Sequence, residues 1–557
     1  MSPHKALIVP DILHEIFKHL STRPQLSLSG AELGSFQFPS AVIDRDDFQA
    51  CKVKRLTLAR AARTCRAFAD PASRVLWEVL VNPAPIVSVL RTWNAHAASE
   101  AEENARIWDR FEQIARRIRA FCCWTSTGRG DEDIDILSPI CSHYDGHPIF
   151  PNLRVLSVRG CVHGAPWLAF LRAVCASPTL VLCTIAGEHD ITVPESLAII
   201  SDAHPELTHL KAPSLWRFDE ESHRALAKFS NLQTASFTVI DATLLRHLAA
   251  LPNLRMLRGR LAISKPTMDI QGAFPALREL STKDMDARTD FLAVLPLISS
   301  RSLARLSLRI SVPLTENMLE YLDEMCSSPA LAQLRELDLY VEIEFNQFEN
   351  QDEPFEGVRV ADVLAPLKRL PALRDILVVF NFPTSTVATF DMNDQDLDTV
   401  ASAWPDLARV KVGHKHDDWN GGPLVISRPS LSAVVSLAER CRKLERVDVE
   451  FECVDASELA RLEARAADAC ASPQTELRRI VFDPDTGFCQ QLRVADPSRL
   501  VAALRKTFPN LTSGLEMLQE ETWEGSVRYR DWYPDDMKTD AFRLLKALDD
   551  LHLDGQL

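Results

Sequence analysis

Glycine is scarce in this chain, 18 of 557 residues. Neither GxxxxGK[ST] nor GxGxxG occurs, so no glycine-rich phosphate cradle is expected. GxSxG and HExxH are missing too. Positive charge is in deficit: Lys+Arg is 62 against 77 Asp+Glu, a formal net charge of −15. Phosphate binding needs clustered cations, so no nucleic acid is expected as a main partner. Long apolar runs are also lacking. The longest uncharged stretch worth testing runs from Ala173 to Gly187 and contains Pro178. A spanning helix needs about 20 residues, so no membrane partner is expected. At the N-terminus, Ala6 to Val9 is short of the roughly 7–15-residue core of a signal peptide. The 13 cysteines are odd in number and form no CxxC pair. Reduced thiols and a cytoplasmic or nuclear location are the expectation.

What is present is apolar patterning. The AVILMFWYC set makes up 46% of the chain and charged residues 25%, enough for a substantial core. At about 150 residues per domain, that allows three or four globular units or one elongated one. A phrase recurs: Pro, one residue, Leu, then apolar residues three and five places on. It stands at Pro151/Leu153/Leu156/Val158, Pro205/Leu207/Leu210, Pro252/Leu254/Leu257, Pro275/Leu277/Leu280, Pro371/Leu373/Ile376/Val378 and Pro405/Leu407/Val410/Val412. Copies without Pro begin at Leu232, Leu303, Leu334, Leu444 and Leu477, with weaker ones at Leu180 and Leu511. Such a period marks units that bury their apolar sides only by stacking.

The end of the phrase alternates with period two, which fits a short strand. Between the strands, stretches such as 317–325, 431–441 and 456–471 show three/four spacing, as on amphipathic helices. Proline ahead of the strand stops the preceding helix, because its ring clashes with helical backbone and it has no N–H. The expected fold is α/β: a curved repeat solenoid with parallel strands inside and helices outside. An ordinary α/β protein is the alternative.

Residues 1–125 differ. Ile12, Leu13, Ile16, Phe17 and Leu20 share one helical stripe opened by Pro10. Residues 21–55 look like a polar loop. A second helix is expected over 56–68, with Leu58, Ala61, Ala62, Cys65 and Phe68 inward. Asp70-Pro71 looks like an N-cap and first helical position, opening a third helix with Val75, Leu76, Trp77, Val79 and Leu80. Ile107, Phe111, Ile114, Ile118 and Phe121 extend a helical pattern, although 117–121 could instead be the first strand.

The stretch from Val9 to Leu20 resembles the opening of an F-box. Ala62-Arg63-Thr64-Cys65-Arg66-Ala67-Phe68, with Ala72-Ser73-Arg74-Val75-Leu76-Trp77, resembles its second half. With leucine-rich repeats behind it, the arrangement is similar to fungal F-box proteins of the leucine-rich-repeat type. The insertion at about 21–55 departs from the family pattern. The resemblance implies a substrate-recognition subunit of a Skp–cullin–F-box ubiquitin ligase, without a catalytic site or cofactor. The partners it implies are a Skp-type adaptor, through it cullin, and an unidentified protein substrate. Adaptor contacts are expected from Val9, Pro10, Ile12, Leu13, Ile16, Phe17, Leu20, Leu58, Cys65, Leu76 and Trp77. Of these, Pro10, Ile12, Leu13 and Ile16 are expected to face the adaptor. The implied division is an F-box-like domain at 1–82, a helical linker or cap at 83–125, the solenoid at 126–518 and an acidic cap or tail at 519–557.

Strand residues between the inward apolar ones are expected on the concave face: Ser157, Arg258, Ser281, Ser307, Asp338, Lys411 and Asp448. Their mixed signs suit a protein substrate. Cys122, Cys123, Cys141, His143 and His147 lie close in sequence, but their spacing fits no common zinc knuckle; buried thiols without metal are expected. His414 to Asp418 looks like a solvated turn. Arg106, Arg110, Arg116, Arg117 and Arg119 look like a solvated helix face, with an anionic contact as the alternative. Two further function classes stay open: a repeat scaffold that does not engage a ligase, and a metal- or thiol-dependent enzyme at the Cys122–His147 cluster.

Overall fold

A computed structural model describes residues 9–20, 45–80, 85–89, 101–124, 140–144, 146–159, 165–186, 193–212, 219–263, 272–286, 291–312, 315–343, 358–382, 389–416, 424–449, 451, 454–468, 476–481 and 496–511. The chain divides into two compact units, Met1–Gly259 and Arg260–Leu557.

The first unit opens with three helices, α1 (Pro10–Lys18), α2 (Arg45–Thr64) and α3 (Arg66–Glu78). Then strands and helices alternate: β1 (Val79–Leu80), α4 (Ala101–Ala115), β2 (Ala120–Trp124), β3 (Val155–Arg159), α5 (Ala165–Cys175), β4 (Leu182–Ala186), α6 (Val193–Ala203), β5 (His209–Ala212), α7 (Glu220–Leu226), β6 (Thr234–Asp241) and α8 (Ala242–Ala249). Strands β1 to β6 pair in parallel in sequence order. Strand β7 (Met256–Ala262) straddles the division.

The second unit continues with β8 (Glu279–Asp286), α9 (Phe291–Val294), β9 (Arg305–Val312), α10 (Thr315–Cys326), β10 (Glu336–Ile343), β11 (Val358–Arg359), α11 (Val360–Leu367), β12 (Asp375–Phe382), β13 (Thr389–Asp391) and α12 (Asp394–Ala403). It ends with β14 (Arg409–His416), β15 (Leu424–Ser427), α13 (Leu431–Arg440), β16 (Arg446–Val449), α14 (Ala456–Asp468), β17 (Arg479–Val481) and α15 (Pro497–Thr507). Here the main sheet runs β8-β9-β10-β12-β14-β16-β17, all parallel, and β11, β13 and β15 form a small second sheet. The protein is thus α/β, with long parallel sheet and a helix between most successive strands. Parallel crossovers are right-handed, so sequential strands place these helices on one side.

The repeated phrase has a mechanical role. Its Leu is buried and closes a tight turn onto the residue three before it: Leu153 N–H on Phe150, Leu334 on Leu331, Leu407 on Trp404 and Leu444 on Cys441. Proline fits the second position of such a turn, where its fixed φ is already right. The N–H groups of the next two residues converge on one carbonyl of the preceding strand entry: Arg335 and Glu336 on Ala304, Ala408 and Arg409 on Arg374. The next apolar residues, such as Leu337, Leu339, Val410 and Val412, are buried toward the helices. Side chains lock adjacent turns together. Trp404 Nε1 donates to the Leu370 carbonyl at 2.9 Å, and the Cys441 thiol to the Trp404 carbonyl at 3.4 Å. Helix starts are capped by the residue types expected, with Asp241 accepting from Leu244 N–H and Ser430 from Ala433 N–H.

Several expectations change. Helix α2 begins at Arg45, so residues 45–55, expected as loop, are helical; no Pro or Gly interrupts 45–64. The break between the second and third helices falls at Cys65, not at Asp70-Pro71. Pro71 lies inside α3, where burial of Ala72 and Val75 offsets the backbone bond it forgoes. Of the two readings open for 117–121, the strand holds from Ala120: α4 ends at Ala115, and Phe121 belongs to β2. His414 is in strand β14, not a turn, because β12 offers a ladder partner as far as Phe382↔His416. Its ring is 3% exposed and packs on Phe390 at 5.1 Å. Asp417, Asp418, residues 21–44 and the expected cap at 519–557 lie outside the described residues.

Candidate functional site

Two surfaces stand out, one in each unit. In the first unit, α1 and α2 both pack on α3. Leu13 and Phe17 are 1% and 5% exposed, in a core with Leu58, Ala72 and Val75. Phe17 meets Phe68 edge-on at 5.5 Å. The other side of α1 is uncovered: Val9, Ile12 and Ile16 are 40%, 43% and 46% exposed. On α2, Val53 and Leu56 are 62% and 49% exposed. Among the described residues, these five are the exposed large hydrophobics, and all precede the sheet.

The sequence stripe therefore splits. Leu13, expected to face a partner, faces inward, as do Phe17 and Leu58. Residues at i and i+1 are turned about 100° apart on a helix, so the pairs 12/16 and 13/17 line adjacent but distinct edges. Pro10 is exposed, and Leu20, Leu76 and Trp77 are half-buried. Cys65, expected inward, is exposed at the start of α3, because the helix break turns it out. The sequence expectation leaves out Val53 and Leu56. Their signal was an apolar pair three apart on an uninterrupted twenty-residue helix.

The arginine cluster is not merely solvated. Arg117 donates to Asp70 Oδ1 and Ser73 Oγ of α3, both at 2.7 Å. Arg119 lies 3.5 Å from Glu78, and its N–H donates to the Glu78 carbonyl. Arg55 reaches the Val79 carbonyl at 2.7 Å. These contacts tie α2 and α3 to the first strands. Arg116 pairs with Glu112 along α4, and Arg106 and Arg110 are exposed.

In the second unit, register brings the expected concave residues together. Ser281, Ser307, Asp338, Leu377, Lys411 and Asp448 lie side by side in one row across six strands. The row at the strand entries reads Glu279, Arg305, Glu336, Asp375, Arg409, Arg446 and Arg479. Opposite charges pair between neighbouring strands. Arg305 lies 3.4 Å from Glu336 and 3.5 Å from Asp338, Arg309 3.3 Å from Glu342, and Arg409 2.6 Å from Asp375. Burial raises the Asp338 carboxyl pKa, opposed by the Arg305 guanidinium beside it. Asp448 is 2% exposed and takes both Lys411 at 3.1 Å and Arg446 at 3.2 Å.

The first unit does not continue this open face. Ser157, expected there, is 0% exposed, and its register neighbours Cys122 and Thr184 are buried too. Strands buried on both faces leave no room for a partner, so Ser157 is corrected to a core position. Arg258 is half-buried on β7.

Among the described residues, no three His, Cys, Asp or Glu side chains come together as a metal site. Cys122 is buried on β2, and His143 stacks on Trp108 with centroids 3.8 Å apart. Burial raises the Cys141 thiol pKa, against the thiolate that zinc requires. Among the described residues, no helix is long and apolar enough to cross a membrane.

No family model and no curated protein matches the chain. Among solved structures it is similar to the Rad7 and Elc1 complex from yeast, at 10% identity and a TM-score of 0.30, over 86% of this chain and 92% of that one. It is also similar to a protein from Bacteroides fragilis, at 13% identity and a TM-score of 0.24, over 59% of this chain and 75% of that one.

Proposed function

We propose that this chain is the substrate receptor of a Skp–cullin–F-box ubiquitin ligase: α1 to α3 engage the Skp-type adaptor, and the stacked repeats hold a protein substrate. In this reading the chain carries no catalytic group, and ubiquitin transfer belongs to other subunits. One observation carries it. Val9, Ile12 and Ile16 leave apolar surface in water on the helix whose sequence resembles an F-box opening, and Val53 and Leu56 do the same on α2. Exposed apolar groups gathered in one part of a molecule mark interaction surface.

The magnitudes are consistent with docking. Fully burying such a side chain gives about 1.5–3 kcal/mol. About half of each is still exposed, so covering all five contributes roughly 4–7 kcal/mol. Association costs an estimated 4–15 kcal/mol, so capture draws on further contacts such as Pro10 and polar groups at the rim.

The test is capture of purified Skp-type adaptor by the full chain. Ile12→Asp combined with Ile16→Asp is expected to abolish capture while the circular dichroism spectrum is kept. Undiminished capture by that variant, or no capture by the unaltered chain, would remove the ligase role and leave a repeat scaffold.

A further inference from the structure

We propose that the outward stripe of α2 docks an acidic amphipathic helix of a protein partner. The proposal rests on the receptor reading, in which α2 belongs to the docking unit, and names the chemistry of what α2 meets. Its test does not need the adaptor.

Charge around α2 is one-sided. Between Phe48 and Ala69 stand Lys52, Lys54, Arg55, Arg60, Arg63 and Arg66, without one Asp or Glu, in a chain whose formal net charge is −15. Arg55 turns inward to the Val79 carbonyl. Lys54, Arg60, Arg63 and Arg66 are exposed, and among the described residues no carboxylate pairs with them. Asp70, the first carboxylate after them, is already held by Arg74 at 2.9 Å and by Arg117 at 2.7 Å.

A helix advances about 100° per residue, so positions i, i+3, i+7 and i+10 share one face. Val53, Leu56, Arg60 and Arg63 have this spacing, and all four are exposed, Val53 at 62% and Leu56 at 49%. The opposite face carries Leu58 and Ala62, packed in the three-helix core. Beside the stripe, the Thr57 and Thr64 hydroxyls donate to the Val53 and Arg60 carbonyls of their own helix at 2.9 and 3.0 Å, so they ask nothing of a partner. The stripe is thus apolar at mid-helix and cationic toward the C-terminal end. It spans about 15 Å at 1.5 Å per residue.

Both halves together select the occupant. A phosphate backbone would neutralise the arginines but leave Val53 and Leu56 in water. Two apolar side chains hold a helix only weakly on a lipid surface, where binding scales with the apolar area buried. A protein helix satisfies both, because its own rise sets two apolar residues and two carboxylates at the same spacing. On α1, by contrast, Ile12 and Ile16 stand beside the exposed Asp11 and Glu15. An acidic helix is therefore drawn to α2 rather than to α1.

The experiment titrates the full chain into labelled, hydrocarbon-stapled helical peptides and reads fluorescence anisotropy. The peptides carry Leu at i and i+3 and Glu at i+7 and i+10, or the reverse order for an antiparallel approach. Saturable binding of one of the two is expected, weakening as salt rises because the attraction lies at the surface. Gln in place of Glu is expected to weaken it about fivefold. Arg60→Glu combined with Arg63→Glu is expected to cost about tenfold, and the milder Arg60→Gln with Arg63→Gln about threefold. Arg172→Glu, at an exposed position of α5 in the same unit, is expected to leave affinity unaltered. Absence of binding, equal binding of the Gln peptides, or an equal loss in Arg172→Glu overturns the proposal. Tighter binding to phosphatidylserine vesicles or to duplex DNA than to the Glu peptides, lost in the double Glu variant, also overturns it. Adaptor capture by the same preparations separates the two ideas: peptide binding without capture counts against the ligase role alone, and capture without peptide binding counts against this proposal alone.

Discussion

Leu13 and Ile16 are one turn apart on α1, and the structure gives them opposite roles. Leu13 is 1% exposed against Phe17, Leu58, Ala72 and Val75. Leu→Ala in such a core costs about 2–5 kcal/mol, the transfer of the lost methyls plus the cavity left behind. Ile16 is 46% exposed, so Ile16→Ala forfeits less than about 1 kcal/mol. A chain of several units does not unfold in one step, so the difference is best read locally, by amide hydrogen exchange along α1. At tenfold per 1.4 kcal/mol, Leu13→Ala is expected to speed exchange of α1 amides by about 30-fold to several thousandfold, and Ile16→Ala by less than about tenfold. The ranking in adaptor capture per folded molecule is expected to be the reverse, with Ile16 the more sensitive position. Equal acceleration in the two variants, or the larger one in Ile16→Ala, would refute the assignment of inner and outer edges.

Two further outcomes follow from packing. Gly259 has φ +153°, and a Cβ there would stand 2.6 Å from the Phe237 carbonyl oxygen and 2.9 Å from Ile240 Cδ1. Gly259→Ala is therefore expected to destabilise the first unit by about 1–3 kcal/mol or more, visible as a lower denaturation midpoint; an unchanged midpoint would show that β6 and β7 do not approach so closely. Among the described thiols, burial pushes Cys175 and Cys326 up to about 12 and Cys441 to about 11, and raises Cys183 well above the usual thiol range, while Cys65 is exposed. Because the thiolate is the reacting form, brief alkylation of the folded chain at pH 8 followed by peptide mass mapping is expected to label Cys65 and spare those four. Prompt labelling of Cys175 on α5 or Cys183 on β4 would contradict the buried core of the first unit.

Much of the strand framework was legible because one physical requirement repeats. Each Leu of the phrase must bury beneath a turn before the strand begins, and each Pro fits that turn, so sequence spacing maps directly onto the parallel ladder. Charged side chains at alternate positions then fall into rows, and Ser281, Ser307, Asp338, Lys411 and Asp448 were readable as neighbours before their distances were known. The row in the first unit was not readable, because Ser157 and Thr184 look polar and soluble until the second face of their strands is seen to be buried.

The sequence alone determined that α1 would be amphipathic, that parallel strands would recur at the phrase, and that the chain would carry an acid excess. Tertiary structure decided which edge of α1 stays in water, where the second helix gives way to the third, and which charges meet across the sheet. The reason is that hydropathy records how much apolar surface a segment has, while its direction is set by the neighbours it packs on. Leu13 and Ile16 look alike along the chain, and only the position of α3 separates them.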